Sequence, residues 1–351
     1  MMRPMAGMPG HRSRGVSLIE LMVALTIGLV ILAGTLAMYM KARDIYSSND
    51  TVSRLQENAR YAMNIIESDL RMANFWGLMS RSLFIENSSC TPAPTDIAVA
   101  GTCGATVACP GGTTGTDWSF DADNYIDGLN DVVANAALKS ATRTLSCSAK
   151  DGSGNTGQTV AGTDVLVIRR ASSDLLAPAA APAAKTAYIA STRTAATIFT
   201  DAVPAAYSSL GVVNPPRYEV RPFVTSVYYI SRDSIGNPGF PSLRRKQLGA
   251  GASGPQLTDQ EMLPGIEDLQ FLVGWDTTGS DARADVYLPP ETKPTGGAIV
   301  AVQVCMVVRS ETLDLAMNNA TYVDCKGNSL ASGNHRRMLV SRTVQLRNRR
   351  S

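Results

Sequence analysis

The apolar positions near the start of the chain form one long run. From Leu21 to Met40 there are twenty residues without a formal charge, and Arg3, Arg12 and Arg14 precede them. A helix rises about 1.5 Å per residue, so roughly 20 residues cover the ~30 Å hydrocarbon core of a bilayer. Positive residues beside a first membrane helix tend to stay in the cytoplasm. The pattern therefore predicts a helix that crosses a membrane, with the N-terminus inside and the bulk of the chain outside.

Beyond Lys41 the apolar residues recur three or four positions apart, which is the spacing of one stripe on a helix. The stripe consists of Leu55, Ala59, Ala62, Ile66, Leu70 and Ala73. The charged residues of this segment are Arg54, Glu57, Arg60, Glu67 and Arg71 on its polar face. We expect the stripe to pack on a sheet, Gly77 to stop the helix, and the polar residues 47–50 to be the place where a helix from Ser17 to Phe75 kinks.

Further along, apolar residues alternate with the period of two that is typical of strands. Segments of this kind are TDVLVIRRAS, RYEVRPFVTSVYYISRD, GIEDLQFLVGWD, GAIVAVQVCMVVRS and HRRMLVSRTVQLRN. Residues 87–116 and 148–162 are rich in Gly, Thr, Ser and Ala without periodicity, which indicates long surface loops. The sequence therefore predicts the α+β class, with a mostly antiparallel sheet of five to seven strands packed on the helix.

Charge gives little support for a nucleic-acid partner. Without residues 1–15 the chain has 29 basic and 30 acidic residues, because that segment contains three arginines and no acid. The C-terminal end is basic and contains Arg336, Arg337, Arg342, Arg347, Arg349 and Arg350. No aromatic residues interleave there to stack on bases, and arginines on an edge strand also discourage sheet-to-sheet pairing. We interpret this end as a solvated edge strand, with a charged contact to a neighbouring subunit as the alternative.

Signals for catalysis are weak, and we expect neither an enzyme nor a cofactor. Gly152, Gly154 and Gly157 fit G-x-G-x-x-G, but no strand precedes them and no helix follows them. After removal of the leader, His335 would be the single histidine, and no cysteine spacing matches a zinc site. The acidic stretch contains Asp117, Asp121, Asp123 and Asp127, and its glycine is misplaced for an EF-hand loop. We interpret these carboxylates as solvated loop residues rather than calcium ligands.

Six cysteines lie beyond the apolar run: Cys90, Cys103, Cys109, Cys147, Cys305 and Cys325. An even number in an oxidising compartment indicates up to three disulfides, and six cysteines allow 15 pairings. The first four lie in loop sequence, and their pairing stays open.

The junction at residues 15–20 gives the most specific signal in the chain. Gly-Val-Ser-Leu-Ile-Glu, directly before the apolar run, resembles the site read by prepilin peptidase. The resemblance implies cleavage between Gly15 and Val16, methylation of the new amine of Val16, and retention of the helix as a membrane anchor and later as a filament core. It also implies that Glu20 pairs with the N-terminal amine of a neighbouring pilin. The alternative for Glu20 is a glutamate that favours the helix start and reaches the membrane interface.

Patches from residue 57 to the end resemble the PilW family of type IV pilus minor pilins. They are ENARYAMNIIESDLRMANFWG, DVLVIRRAS, RPFVTSVYYISRD, EMLPGIEDLQFLVGWD, AVQVCMVVRS and RTVQLRNRR. The family is similar to the J-type minor pseudopilin of type II secretion. The resemblance implies a type IV pilin fold, in which a long N-terminal helix packs on a mostly antiparallel sheet. It also implies a Cys305–Cys325 disulfide, because many pilins close a loop near the C-terminus.

The implied function is that of a minor pilin that primes pilus polymerisation at or near the filament tip. Its partners would be other minor pilins, the major pilin, prepilin peptidase, the inner-membrane assembly machinery and, as an open alternative, a large tip adhesin. The chain would divide into a leader at 1–15, a membrane and filament-core helix at 16–40, an amphipathic half at 41–76 and a loop-rich periplasmic β domain at 77–351. A type II secretion pseudopilin and a tip adhesin or DNA-binding pilin remain alternatives.

Overall fold

A computed structural model describes residues 15–79, 85–86, 108–109, 113–114 and 117–348, the last range without 136, 150–157, 178–179, 212–216, 253, 280, 315–316, 319 and 332. The first element is the helix α1 (Leu18–Met72), which continues without a break through residues 47–50. Contacts divide the chain into two compact units, with the boundary between Ser53 and Arg54. The first unit contains the apolar part of α1, and the second contains its last turns and all the strands described.

The strands follow in chain order, with one short helix, α2 (Ala205–Ser208), between the ninth and the tenth. They are β1 (Ile85–Glu86), β2 (Ala108–Cys109), β3 (Thr113–Thr114), β4 (Ile126–Leu129), β5 (Ala137–Lys139), β6 (Thr144–Ser148), β7 (Val165–Ala171), β8 (Ala187–Ser191), β9 (Ala196–Thr200), β10 (Glu219–Ser231), β11 (Ser242–Ala250), β12 (Pro255–Pro264), β13 (Ile266–Asp276), β14 (Val286–Leu288), β15 (Ala298–Leu313), β16 (Thr321–Val323), β17 (Ser329–Ala331) and β18 (His335–Gln345).

Two large sheets and two hairpins result. The larger sheet has the order β1-β9-β8-β10-β11-β12-β2-β3, and β7 pairs with β10 and with β4. The second sheet has the order β14-β13-β15-β18, and its pairs are all antiparallel. The hairpins are β5–β6 and β16–β17. Apart from the short parallel pairs β1–β9 and β12–β2, the pairs of the larger sheet are also antiparallel, which confirms the predicted α+β class.

The predicted single sheet of five to seven strands was too simple. The long strand β10 changes partners along its length, because Glu219–Pro222 pair with β8 whereas the residues from Phe223 onward pair with β7 and β11. Periodicity identifies the strands, but it does not show where a strand changes partners. The structure therefore has more strands than the sequence predicted, because it contains short strands in the loops and a second sheet.

The helix stripe packs as the sequence predicts. All six of its residues are buried, and Ala62, Ile66, Leu70 and Ala73 have no exposed surface. Further inward, the indole of Trp76 stacks on Phe223 with ring centroids 5.7 Å apart. The apolar burial of this stripe, at roughly 25 cal/mol per Å², is the main contribution that holds the second half of α1 to the sheets.

The helix ends earlier than Gly77. The last residue of α1 is Met72, and Asn74 adopts the left-handed conformation with φ 61°. Asparagine tolerates this conformation at helix ends. The Asn74 side chain also donates to the carbonyl of Asn348 at 2.8 Å and accepts from the indole of Trp76 at 2.7 Å. These contacts join the end of the helix to the end of the chain.

Candidate assembly site at the start of the helix

The first turn of α1 is closed by a reciprocal pair of hydrogen bonds. The backbone N–H and the hydroxyl of Ser17 donate to Oε2 of Glu20 at 3.0 and 3.1 Å, and the backbone N–H of Glu20 donates to the Ser17 hydroxyl at 3.3 Å. This is a capping box, in which Ser at the N-cap and Glu three residues later satisfy two free N–H groups. The Ser-x-x-Glu signal was present in the sequence but was missed by the sequence analysis.

The Glu20 carboxylate has capacity for a further partner. Its hydrogen bonds within the described part of the chain all go to Oε2, so Oε1 stays open to a second donor. Gly15 and Val16 directly precede the helix and are exposed. A carboxylate at the centre of a membrane helix costs about 2.5 to 3.5 kcal/mol on insertion scales. The geometry therefore leaves this acid capped but not neutralised.

The surface of α1 that follows Glu20 is apolar and, as far as the described residues show, exposed. α1 contains a stretch that is long and apolar enough to cross a membrane, and none of that stretch is buried. Exposed side chains on it include Leu18, Leu25, Val30 and Met38, each more than half exposed. Such a surface is stable only in lipid or against other apolar helices. Together with the N-terminal motif, it indicates membrane anchoring.

The structure describes the disulfide state of some of the six cysteines, and the others lie outside the described residues or have only their backbone described. Cys305 in β15 is bonded to Cys325, with Cα atoms 5.7 Å apart, which confirms the expected pair. Cys147 is disulfide-bonded as well. Cys90 and Cys103 lie outside the described residues, and only the backbone of Cys109 is described, in β2. The pairing of these four cysteines stays open.

On the second half of α1 the sequence analysis missed a buried acid. Asp69 lies within the packed face and is 5% exposed. Its carboxylate accepts from the hydroxyl of Tyr228 at 2.6 Å and from Nη2 of Arg170 at 2.8 Å. Both donors belong to the larger sheet, so this acid ties the helix to β7 and β10. The signal for it in the sequence was an aspartate three residues after Ile66 and four before Ala73, which places it beside the apolar stripe.

Of the four acids at 117–127, Asp127 is not a solvated loop residue. Asp127 lies in β4 and is 2% exposed, and Arg143 donates to both of its oxygens. The buried guanidinium of Arg169 lies 3.6 Å from Asp127. Burial alone would raise the pKa of Asp127, but the hydrogen bond from Arg143 and the charges of both arginines hold it below its usual value. Among the described residues no group of His, Cys, Asp and Glu side chains has a metal-binding arrangement.

The basic C-terminal strand is an edge strand whose arginines contact acids of the same chain. Arg336 pairs with Asp314, and Arg342 pairs with Glu67 of α1. Arg337 donates to Glu267 of β13 at 2.6 Å. These contacts neutralise much of the charge that the sequence concentrates in β18.

Comparison with known families gives two matches. The family described as type IV pilus-assembly protein W matches residues 227–348, which run from within β10 to just beyond β18. The prokaryotic N-terminal methylation motif matches residues 10–36, which include the capped start of α1. No curated protein and no solved structure gives a significant match. Both matched families are structural rather than catalytic. The two matches, together with the helix-and-sheet fold, support a type IV pilin of the PilW family.

Proposed function

We propose that this chain is a minor pilin that helps to prime pilus polymerisation and occupies a position at or near the filament tip. The observation that carries the proposal is an exposed apolar helix directly behind a methylation motif, in a chain whose C-terminal third matches the PilW family. The partners are other minor pilins, the major pilin and the inner-membrane assembly machinery. A tip adhesin is a further candidate partner.

Maturation follows from the same segment. Prepilin peptidase cuts between Gly15 and Val16 on the cytoplasmic side of the inner membrane and methylates the amine of Val16. The exposed, non-helical backbone at Gly15 and Val16 fits a protease substrate. Before assembly the chain spans the membrane once with its folded part in the periplasm, and it then enters the pilus at the cell surface.

Glu20 supplies the directional contact. Its open oxygen and uncompensated charge favour a cation in an apolar environment, where Coulomb attraction is strong. The methylated amine of a neighbouring pilin is such a cation. In this proposal the capping box orients the carboxylate, and the pairing sets the register between adjacent helices.

An in-frame deletion distinguishes the candidate functions. A minor pilin predicts loss of surface pili and of twitching motility with intact protein secretion. A type II secretion pseudopilin predicts the reverse, and a tip adhesin or DNA-binding pilin predicts normal pili with lost attachment or DNA uptake. Gly15→Ala should leave an uncut precursor in the inner membrane, and a normally shortened product on a gel would contradict the cleavage site.

Two substitutions at Glu20 separate pairing from capping. Glu20→Gln keeps the hydrogen-bond acceptor of a capping box but removes the charge, whereas Glu20→Ala removes both. Glu57→Gln, at an exposed acid on the same helix, is the control. We expect both Glu20 variants to insert normally and to lose piliation and co-purification with other pilins. If Glu20→Gln assembles as well as the control, the carboxylate acts only as a cap.

A further inference from the structure

The strand β18 forms one outer edge of the second sheet, and its outward backbone groups have no partner among the described residues. It pairs with β15 on one side only. The N–H of Leu346 donates to the carbonyl of Val300 at 3.0 Å, which fixes the residues of even number as those that face β15. Successive residues of a strand point their backbone groups to opposite edges. The N–H and C=O groups that point outward therefore belong to Leu339, Ser341, Thr343 and Gln345, and all four residues are exposed.

This edge lacks the features that protect most exposed edges. Proteins guard them with charged side chains, prolines, bulges or short strands. β18 is 11 residues long, and from Met338 to Gln345 it contains no proline and pairs in an unbroken register. Its one charged residue in that range, Arg342, turns to Glu67 of the helix. The sequence alone predicted an edge protected by arginines, but the arginines of β18 pair with acidic residues of the same chain.

A second long strand shows the contrast. β12 begins at Pro255, ends at Pro264 and has an irregular register opposite Leu243 and Arg244. β12 pairs with β2 at Gln256, and along the rest of its length its terminal proline and its irregular register protect it, whereas β18 has neither between Met338 and Gln345.

We propose that the open edge of β18 accepts an extended strand of a different pilin in the same filament, a contact that rests on the proposed function. Strand addition provides main-chain hydrogen bonds to each outward residue, with side chains on alternate positions giving selectivity. Here four successive outward residues are available. Strand addition of this kind supplements the helix contacts expected of the apolar part of α1.

Charge argues for a heterologous, acid-bearing strand rather than a second copy. Residues 335–350 contain six arginines and no acidic residue, and Arg347, unlike Arg336, Arg337 and Arg342, has no acidic partner among the described residues. An antiparallel pair of two β18 strands centred on Ser341 would place Arg347 of one copy opposite His335 of the other and beside its arginines. Like charges on facing strands are unfavourable. A strand with acidic residues toward its ends fits this edge better.

Photocrosslinking in pilus-producing cells tests the proposal with the full-length chain. The photoreactive residue p-benzoylphenylalanine is placed at Ser341, at Leu25 in the apolar helix and, as a control, at Ile235, which is exposed in the turn between β10 and β11. Products are probed with antibodies to the major pilin and to each minor pilin. We expect Ser341 and Leu25 to crosslink to pilins other than this chain, and Ile235 not to do so.

The outcomes separate the two proposals. Crosslinks from Leu25 to pilins with none from Ser341, or with only self-crosslinks there, would overturn the edge contact and leave the proposed function standing. No pilin crosslink from Leu25 would overturn both. Equal pilin crosslinks from Ile235 and Ser341 would show unspecific proximity and also count against the edge.

Substitutions at the edge give a second test on the same crosslink. Thr343→Pro removes an outward N–H that makes no bond to β15, whereas Thr343→Val keeps it at nearly the same size. With Thr343→Pro we expect the yield of pilin crosslinks from residue 341 to fall about fivefold or more, the factor that corresponds to one lost hydrogen bond. With Thr343→Val the crosslink yield should stay within about twofold of the unsubstituted chain. Formation of the Cys305–Cys325 disulfide checks folding. If the partner strand is acidic, Leu339→Glu should lower the crosslink yield more than Leu339→Lys. Equal crosslink yields for the unsubstituted chain and all four variants would refute the proposal.

Discussion

Two carboxylates on α1, two residues apart, should differ strongly in their contribution to stability. Asp69 is buried and bonded to Tyr228 and Arg170, whereas Glu67 pairs with Arg342 and Arg71, whose side chains are 46% and 49% exposed. Removing one partner of a buried ion pair costs about 3–5 kcal/mol, because the other charge stays buried. A surface pair contributes about 0.2–1 kcal/mol. We therefore expect Asp69→Asn to destabilise the fold by at least about 2 kcal/mol more than Glu67→Gln.

The assay is chemical unfolding of the full chain in detergent, followed by tryptophan fluorescence. The three tryptophans are Trp76, Trp118 and Trp275, and all lie in the unit that begins at Arg54. The signal therefore reports that unit and not the apolar helix. Both variants keep side-chain size, so a difference between them reflects charge and burial. Similar losses for the two variants, or a loss below about 1 kcal/mol for Asp69→Asn, would refute the assignment of Asp69 as a buried tie.

A double-mutant cycle refines the result. Tyr228→Phe removes one hydrogen bond to a charged acceptor, worth about 1.5–3 kcal/mol. If the two side chains act through their 2.6 Å contact, the losses for Asp69→Asn and Tyr228→Phe will not add. Additive losses would place the stabilisation elsewhere.

Three further predictions use the same unfolding assay. Burial raises the pKa of Asp164 to about 7, so its protonated form stabilises the fold below about pH 4, and this contribution is lost as the pH rises toward 7. The free energy of unfolding of Asp164→Asn, relative to that of the wild type, should therefore increase over this pH range. A difference that stays constant with pH would contradict the prediction. Replacing both Cys305 and Cys325 by serine should cost about 3 kcal/mol, the loop-closure value for a separation of about 20 residues, and an unchanged midpoint would refute a structural role. Ile66→Ala should cost about 2–5 kcal/mol, whereas Ile19→Ala, at a residue 71% exposed, should leave the transition unchanged.

How much of the structure could be read from the sequence depended on the distance between partners along the chain. The helix stripe was predicted in full because its period of three and four lies within one element. The capping box joins residues three apart, so its signal was visible in Ser17 and Glu20. Asp69, in contrast, lies 101 and 159 residues from its two partners, and nothing near it in the sequence marks them. The arginines of β18 were misjudged for the same reason, since their acids lie in other elements.

The carboxylates of α1 show how one helix combines folding and assembly. Asp69 finds its cations within the chain, and its cost of burial is offset there. Glu67 reaches the edge strand by pairing with Arg342, so this acid also finds its cation within the chain. Among the described residues, Ser17 is the hydrogen-bond partner of the Glu20 carboxylate, and the helix surface around it is apolar and exposed. An acid in an apolar surface is costly unless it is paired, and in our proposal the amine of a neighbouring pilin supplies that pairing.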